Sequence, residues 1–197
     1  MGLLSVSSSA AGAEVARMLA RVHVALLRGL NVGGKNRLPM GKLAAVFEAE
    51  GCTGVTTYIQ SGNVVFSTER AAADLSRALS DRLLTAHSMD VPVVLRSGEE
   101  LVAVARANPF LRRGADPGAL HVAFLSTEPD PVGVARLDPD RAPPDELIVT
   151  GSEVYLHLPN GVGRTKLTNA YLDRCLGVVS TARNWRTVLA LAEMVRG

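Results

Sequence analysis

Apolar positions along the chain follow two rhythms, and the switches between them lay out the elements. Val22–Leu27 is a nearly unbroken apolar run of strand length, the pattern of a central strand. Pro39 suits the start of a helix, and Leu43, Val46 and Phe47 form a helical stripe that stops at Gly51. Two β-rich runs, 55–60 and Asn63–Ser67, flank Ser61-Gly62 and predict a hairpin. Residues 74–87 predict a helix with Leu75, Ala78, Leu79, Leu83 and Leu84 on one face, and 91–95 predicts a further strand. The order over residues 21–97 is therefore β-α-β-β-α-β, a ferredoxin-like arrangement of antiparallel strands with helices on one face.

The second half, 98–197, reads similarly. Gly98–Ala107 predicts a helix closed by Asn108-Pro109, and 111–118 is a loop rich in Arg, Gly and Pro. Leu120–Leu125 predicts a strand, 130–137 a short helix, and Glu146–Thr150 with 153–158 a hairpin around Gly151-Ser152. Two helices, 166–176 and 183–196, close the chain. The fold class expected is α+β in two small subdomains, the first ferredoxin-like and the second a related βαββαα arrangement. The halves echo each other in element order, and no residue-level repeat is expected. Residues 1–20 are read as an N-terminal extension with a short helix over 13–19.

Composition narrows the function classes. The 197 residues are 47% hydrophobic with a net charge of +2, enough for a real core and too little charge for a broad duplex-DNA face. No apolar run approaches the roughly 18 residues of a membrane span. Cys52 and Cys175 stand alone, without Cys-x-x-Cys or a nearby histidine, so a reduced cytoplasmic setting is expected and neither a metal nor a cofactor. The first twenty residues lack the basic and apolar regions of a signal peptide. Sequence-specific RNA reading is disfavoured, because only Phe66 is aromatic on the two strands that such a module uses for stacking.

The candidate chemistry lies at strand and helix junctions. Arg28-Gly-Leu-Asn-Val-Gly-Gly-Lys-Asn36 follows the first strand and approaches a phosphate loop in spacing. Asn36 replaces its metal-binding Ser/Thr, and an antiparallel order offers no partner strand for nucleotide hydrolysis. Small residues with cations beside a helix start recur at three places: Gly33, Gly34, Lys35 and Asn36; Arg164 and Lys166; Arg183 and Asn184. Cations there oppose the helix dipole by about 0.3–1 kcal/mol each, which calls for a counter-charge, solvation or a bound anion. Gln60, Ser61 and Asn63 sit at the tip of the first hairpin. Trp185, Val188, Leu189, Ala192 and Val195 form one stripe and predict packing, and the four histidines suggest no triad or metal site.

Four segments carry a family resemblance. They are Arg28–Asn36 above, Tyr58-Ile-Gln-Ser-Gly-Asn-Val-Val-Phe66, Leu158-Pro-Asn-Gly-Val-Gly-Arg-Thr-Lys-Leu167 and Thr181-Ala-Arg-Asn-Trp-Arg-Thr187. In this order they resemble the hallmark segments of the bacterial domain-of-unknown-function family 1697. The resemblance implies an α+β fold with two ferredoxin-like parts and brings no established activity. The expected function is binding of a phosphate-bearing small molecule or nucleotide through Arg28, Asn31, Gly33, Gly34, Lys35, Asn36, Gln60, Ser61, Asn63, Arg164, Lys166, Arg183 and Asn184. The alternatives are an enzyme of unknown chemistry, which needs an acid–base group near these motifs, and an interaction or assembly module.

Overall fold

The computed structural model describes residues 22–33 and 36–197. The helix expected over 13–19, Gly34 and Lys35 lie outside the described residues. The first half contains β1 (Val22–Leu27), α1 (Met40–Ala49), β2 (Thr53–Tyr58), β3 (Asn63–Ser67), α2 (Ala72–His87) and β4 (Val93–Ser97), the expected ferredoxin-like order. Its sheet runs β2-β3-β1-β4 and is antiparallel throughout. β4 passes directly into α3 (Gly98–Ala107), whose start is fixed by a capping box between Ser97 and Glu100.

The second half departs from the sequence reading at one point. β5 (Leu120–Leu125), α4 (Pro131–Ala135), β6 (Glu146–Thr150), β7 (Glu153–His157) and α5 (Asn169–Leu176) are followed by a strand, β8 (Ser180–Asn184), before α6 (Trp185–Met194). Residues 180–184 are thus a strand and not a loop running into a helix, and the expected βαββαα order is corrected to βαββαβα. β8 is a short edge strand with the polar sequence Ser-Thr-Ala-Arg-Asn, so hydrophobic alternation cannot reveal it. Pairing with β5, from His121 opposite Asn184 to Leu125 opposite Ser180, holds it in the sheet order β6-β7-β5-β8.

With β8 in place the two halves have the same order, and a residue-level repeat becomes visible after all. His23-Val-Ala-Leu-Leu27 in β1 matches His121-Val-Ala-Phe-Leu125 in β5. The registers agree: Val24 faces Arg96 on β4, and Val122 faces Arg183 on β8.

Strand alternation divides the core into layers. Ala25 and Leu27 of β1 pack under α1 and α2 with Leu43, Phe47, Leu75, Leu79 and Leu83. Ala123 and Leu125 of β5 pack under α5 with Tyr171, Leu172 and Leu176. The other faces share one cluster, in which Val24, Leu26 and Val94 meet Val122, Phe124 and Tyr155 beside α3 and α6. Trp185 is buried there as expected, but Leu189 points to solvent and Leu191 takes its place in the stripe. Among the described residues no helix is long and apolar enough to cross a membrane.

Candidate functional site

The shared layer contains two buried arginines, one from each half, and each holds a turn of the other half. Arg96, 6% exposed, donates to Glu153 (Nε to Oε1, 2.8 Å), to the Leu125 carbonyl (2.8 Å) and to the Ser152 carbonyl (2.9 Å). Arg183, 8% exposed, donates from Nε to Asn63 Oδ1 (2.5 Å), from Nη2 to the carbonyls of Leu27 (2.8 Å) and Gly62 (3.1 Å), and from Nη1 to Thr181 Oγ1 and the Ala182 carbonyl (2.8 Å each). The two sets correspond position by position. Leu27 and Leu125 end β1 and β5, while Asn63 opposite Leu26 matches Glu153 opposite Phe124.

One difference separates them. Arg96 is neutralised by a carboxylate, and Arg183 meets a neutral amide in the same place. Burial pushes the Arg183 guanidinium down from its ordinary range to about 10, which still leaves it charged at neutral pH. An unmatched buried charge is unfavourable unless something outside its own shell compensates it.

Arg183 forms part of the wall of an open hollow of about 370 Å3, with Arg28, Ser61, Asn169, Asn184 and the rim residues Val32 and Ile59. Arg28, just after β1, is paired with Asp173 on α5. Asn184 caps α6 by accepting from the Thr187 N–H (2.8 Å), and Asn169 begins α5. The amide NH2 groups of Asn169 and Asn184 have no hydrogen-bond acceptor among the described residues. No histidine or carboxylate lines this hollow among the described residues.

The first loop is braced from within. Asn31, in the left-handed region at φ +55°, accepts from the Leu38 N–H (2.8 Å) and donates to the carbonyls of Leu38 (3.0 Å) and Gln60 (2.9 Å). Asn36 donates to the Gly29 carbonyl at 3.4 Å. The hairpin turn is wider than Ser61-Gly62: β2 and β3 close at Tyr58 opposite Asn63, leaving Ile59 to Gly62 as the tip. Asn63 is fully buried and ties that tip through Tyr58 O (3.2 Å) and Ser61 Oγ (3.0 Å).

The expected site residues are therefore only partly together. Arg28, Ser61, Arg183 and Asn184 share the hollow. Gln60 and Asn31 line a neighbouring one with Arg37 and Met40. Asn63 stands behind the wall as the acceptor for Arg183, while Asn31 and Asn36 serve as loop braces. Gly33 is exposed on the first loop, and Arg164 and Lys166 are exposed and line neither hollow. Arg183 lies in β8, one residue before the Asn184 cap of α6, and its guanidinium is spent on Asn63 and the turns of the first half. Sequence reading missed Arg96, Glu153 and Asn169. The repeated His-Val-Ala-x-Leu segment aligns β1 with β5, and the strand registers then match Arg96 to Arg183.

No curated protein matches the chain significantly. Among solved structures, "conserved bacterial protein SP0830" from Streptococcus pneumoniae is similar in fold, with a TM-score of 0.69 at 24% identity over 90% of this chain and 99% of that one. The family match stops short of the Leu158 and Thr181 segments but spans both arginine-bound turns, and on it the chain belongs to DUF1697, a family of proteins of unknown function, over residues 21–155.

Proposed function

We propose that the protein binds a small, phosphate-bearing anion in the hollow between the first loop, the hairpin tip and the β8–α6 junction. The observation that carries this reading is the unmatched charge of Arg183 beside its neutralised counterpart Arg96. All five N–H donors of Arg183 are already engaged, so it acts through its field and not by direct contact. A unit anion about 6 Å away gains roughly 3 kcal/mol at an effective dielectric constant of about 20. Direct contacts come from Arg28 and from the amides of Asn169 and Asn184. With no acid or base facing the hollow among the described residues, binding is a better fit than catalysis.

Asn63→Asp tests the charge argument, since it gives Arg183 the carboxylate that Arg96 has. Phosphate affinity is expected to fall at least tenfold, a change of about 1.4 kcal/mol. Stability changes less, within about 2 kcal/mol, because the new ion pair is offset by the lost donors to Tyr58 O and Ser61 Oγ. Titration calorimetry with phosphate and pyrophosphate reads the first, and urea unfolding reads the second. Equal phosphate affinity in the two proteins would remove Arg183 from the explanation, and no binding by the unaltered protein would end the reading.

A further inference from the structure

Two apolar side chains stand exposed on the rim of the Arg183 hollow, Val32 at 58% and Ile59 at 51%. Ile59 combines that exposure with a left-handed backbone at φ +48°. A β-branched residue is among the worst suited to this conformation, where asparagine or glycine sits readily. The hairpin tip thus keeps a side chain that strains the backbone and gains little burial within the described chain. Strained positions of this kind concentrate where a binding surface needs one particular side chain in place. Val32 lies on the first loop, close to the left-handed Asn31 and Gly33. The two apolar residues come from separate elements onto one rim, beside a cationic wall with free amide donors.

We propose that the ligand of this hollow is an organic anion with an apolar body, whose charged end meets Arg28, Asn169 and Asn184 while Val32 and Ile59 cover the body. This rests on the anion-binding reading above and specifies its substrate class. A hollow of about 370 Å3 lies near the lower end of ligand sites, which run from about 300 to 1,000 Å3. That size suits a single ring or short chain on a phosphate or carboxylate, not a dinucleotide. Apolar rim and polar anchor then divide the labour usual in small-molecule sites, burial for affinity and a few polar groups for orientation.

The experiment uses matched probes with and without a ring, phosphate against phenyl phosphate and acetate against benzoate, titrated calorimetrically into the full chain. The expected result is at least tenfold tighter binding of the ringed member of one pair, and the pair that shows it identifies the anionic group. Ile59→Asn keeps a residue suited to the left-handed backbone and removes the apolar surface. It should abolish that advantage, leave binding of the ringless anion within twofold, and leave the melting temperature no lower. Equal affinity within both pairs in the unaltered protein overturns this inference and leaves the anion site standing. Binding of none of the four sinks the anion reading and takes this one with it. A concentration-dependent dimer in light scattering that Ile59→Asn disperses would also overturn it, since the rim would then be serving a second copy of the chain.

Discussion

Replacing Arg183 by methionine is expected to lower the free energy of unfolding by about 3–5 kcal/mol, read as a lower urea midpoint at unchanged slope. Methionine fills much of the volume and removes the burden of a buried charge, so the loss arises from acceptors left behind. Asn63 Oδ1, Thr181 Oγ1 and the carbonyls of Leu27, Gly62 and Ala182 all lose a donor. A buried acceptor without a donor costs roughly 1–3 kcal/mol. The carbonyls fall at the low end where another bond survives, as at Gly62 O, which still accepts from the Leu27 N–H at 2.8 Å. For a chain of this length the loss corresponds to a fall of roughly 10 °C in melting temperature. Lysine at the same position recovers only part, because a single ammonium cannot reach the Asn63, Leu27 and Thr181 sides together. A loss below about 1 kcal/mol for the methionine variant would mean that Arg183 does not clasp the two halves.

The reciprocity of the two clasps explains why the sequence was legible for most of the fold and for so little of the site. Elements that bury one face announce themselves by period: β1, α1, α2 and the β6–β7 hairpin carry complete stripes, and the structure places them as the stripes predict. β8 carries no such stripe. One of its inward positions is Arg183, which no hydrophobic pattern marks as a core residue, although it is nearly as buried as Val94 or Tyr155. The same holds for Arg96, which stands one place past the apolar run of β4. Their partners lie in the opposite half, at turns far away in sequence, so no local motif could pair them. What the sequence could offer was the near-identity of β1 and β5. The alignment of Arg96 with Arg183, and of Glu153 with Asn63, follows only once the strand registers are added to it.

That alignment also sharpens what differs between the halves. The hollow beside Arg96 is rimmed by Glu99, Glu100 and Glu128, and the one beside Arg183 by Arg28, Asn169 and Asn184. Two copies of one clasp thus face different surroundings, acidic beside Arg96 and close to neutral beside Arg183, where Arg28 is paired with Asp173. The internal carboxylate is present where the surroundings are acidic and absent where they are close to neutral. Glu153 cancels the charge of Arg96 while Arg183 keeps its own, so the Arg183 side holds the greater positive potential.

Gly62→Ala is expected to destabilise the protein by about 3–4 kcal/mol, against about 1–2 kcal/mol for Gly29→Ala or Gly54→Ala. All three glycines have positive φ, at +72°, +69° and +60°, so the backbone penalty is shared. Only at Gly62 would the added methyl collide, at 2.8 Å from Leu27 Cβ and 3.1 Å from Leu30 Cβ, whereas the other two face open space. Both leucines are fully buried, and a Cβ cannot move without its backbone, so relief must come from a shift of the hairpin tip. That shift carries Gly62 O away from Arg183 Nη2 and from the Leu27 N–H, and it moves Ile59 and Ser61 on the rim. Phosphate affinity should therefore fall together with stability in Gly62→Ala, while Gly54→Ala, on the β2 bulge, loses stability alone. Equal destabilisation of the three variants would show that the tip yields freely, and a tip that yields freely could not hold Ile59 in its strained place over the hollow.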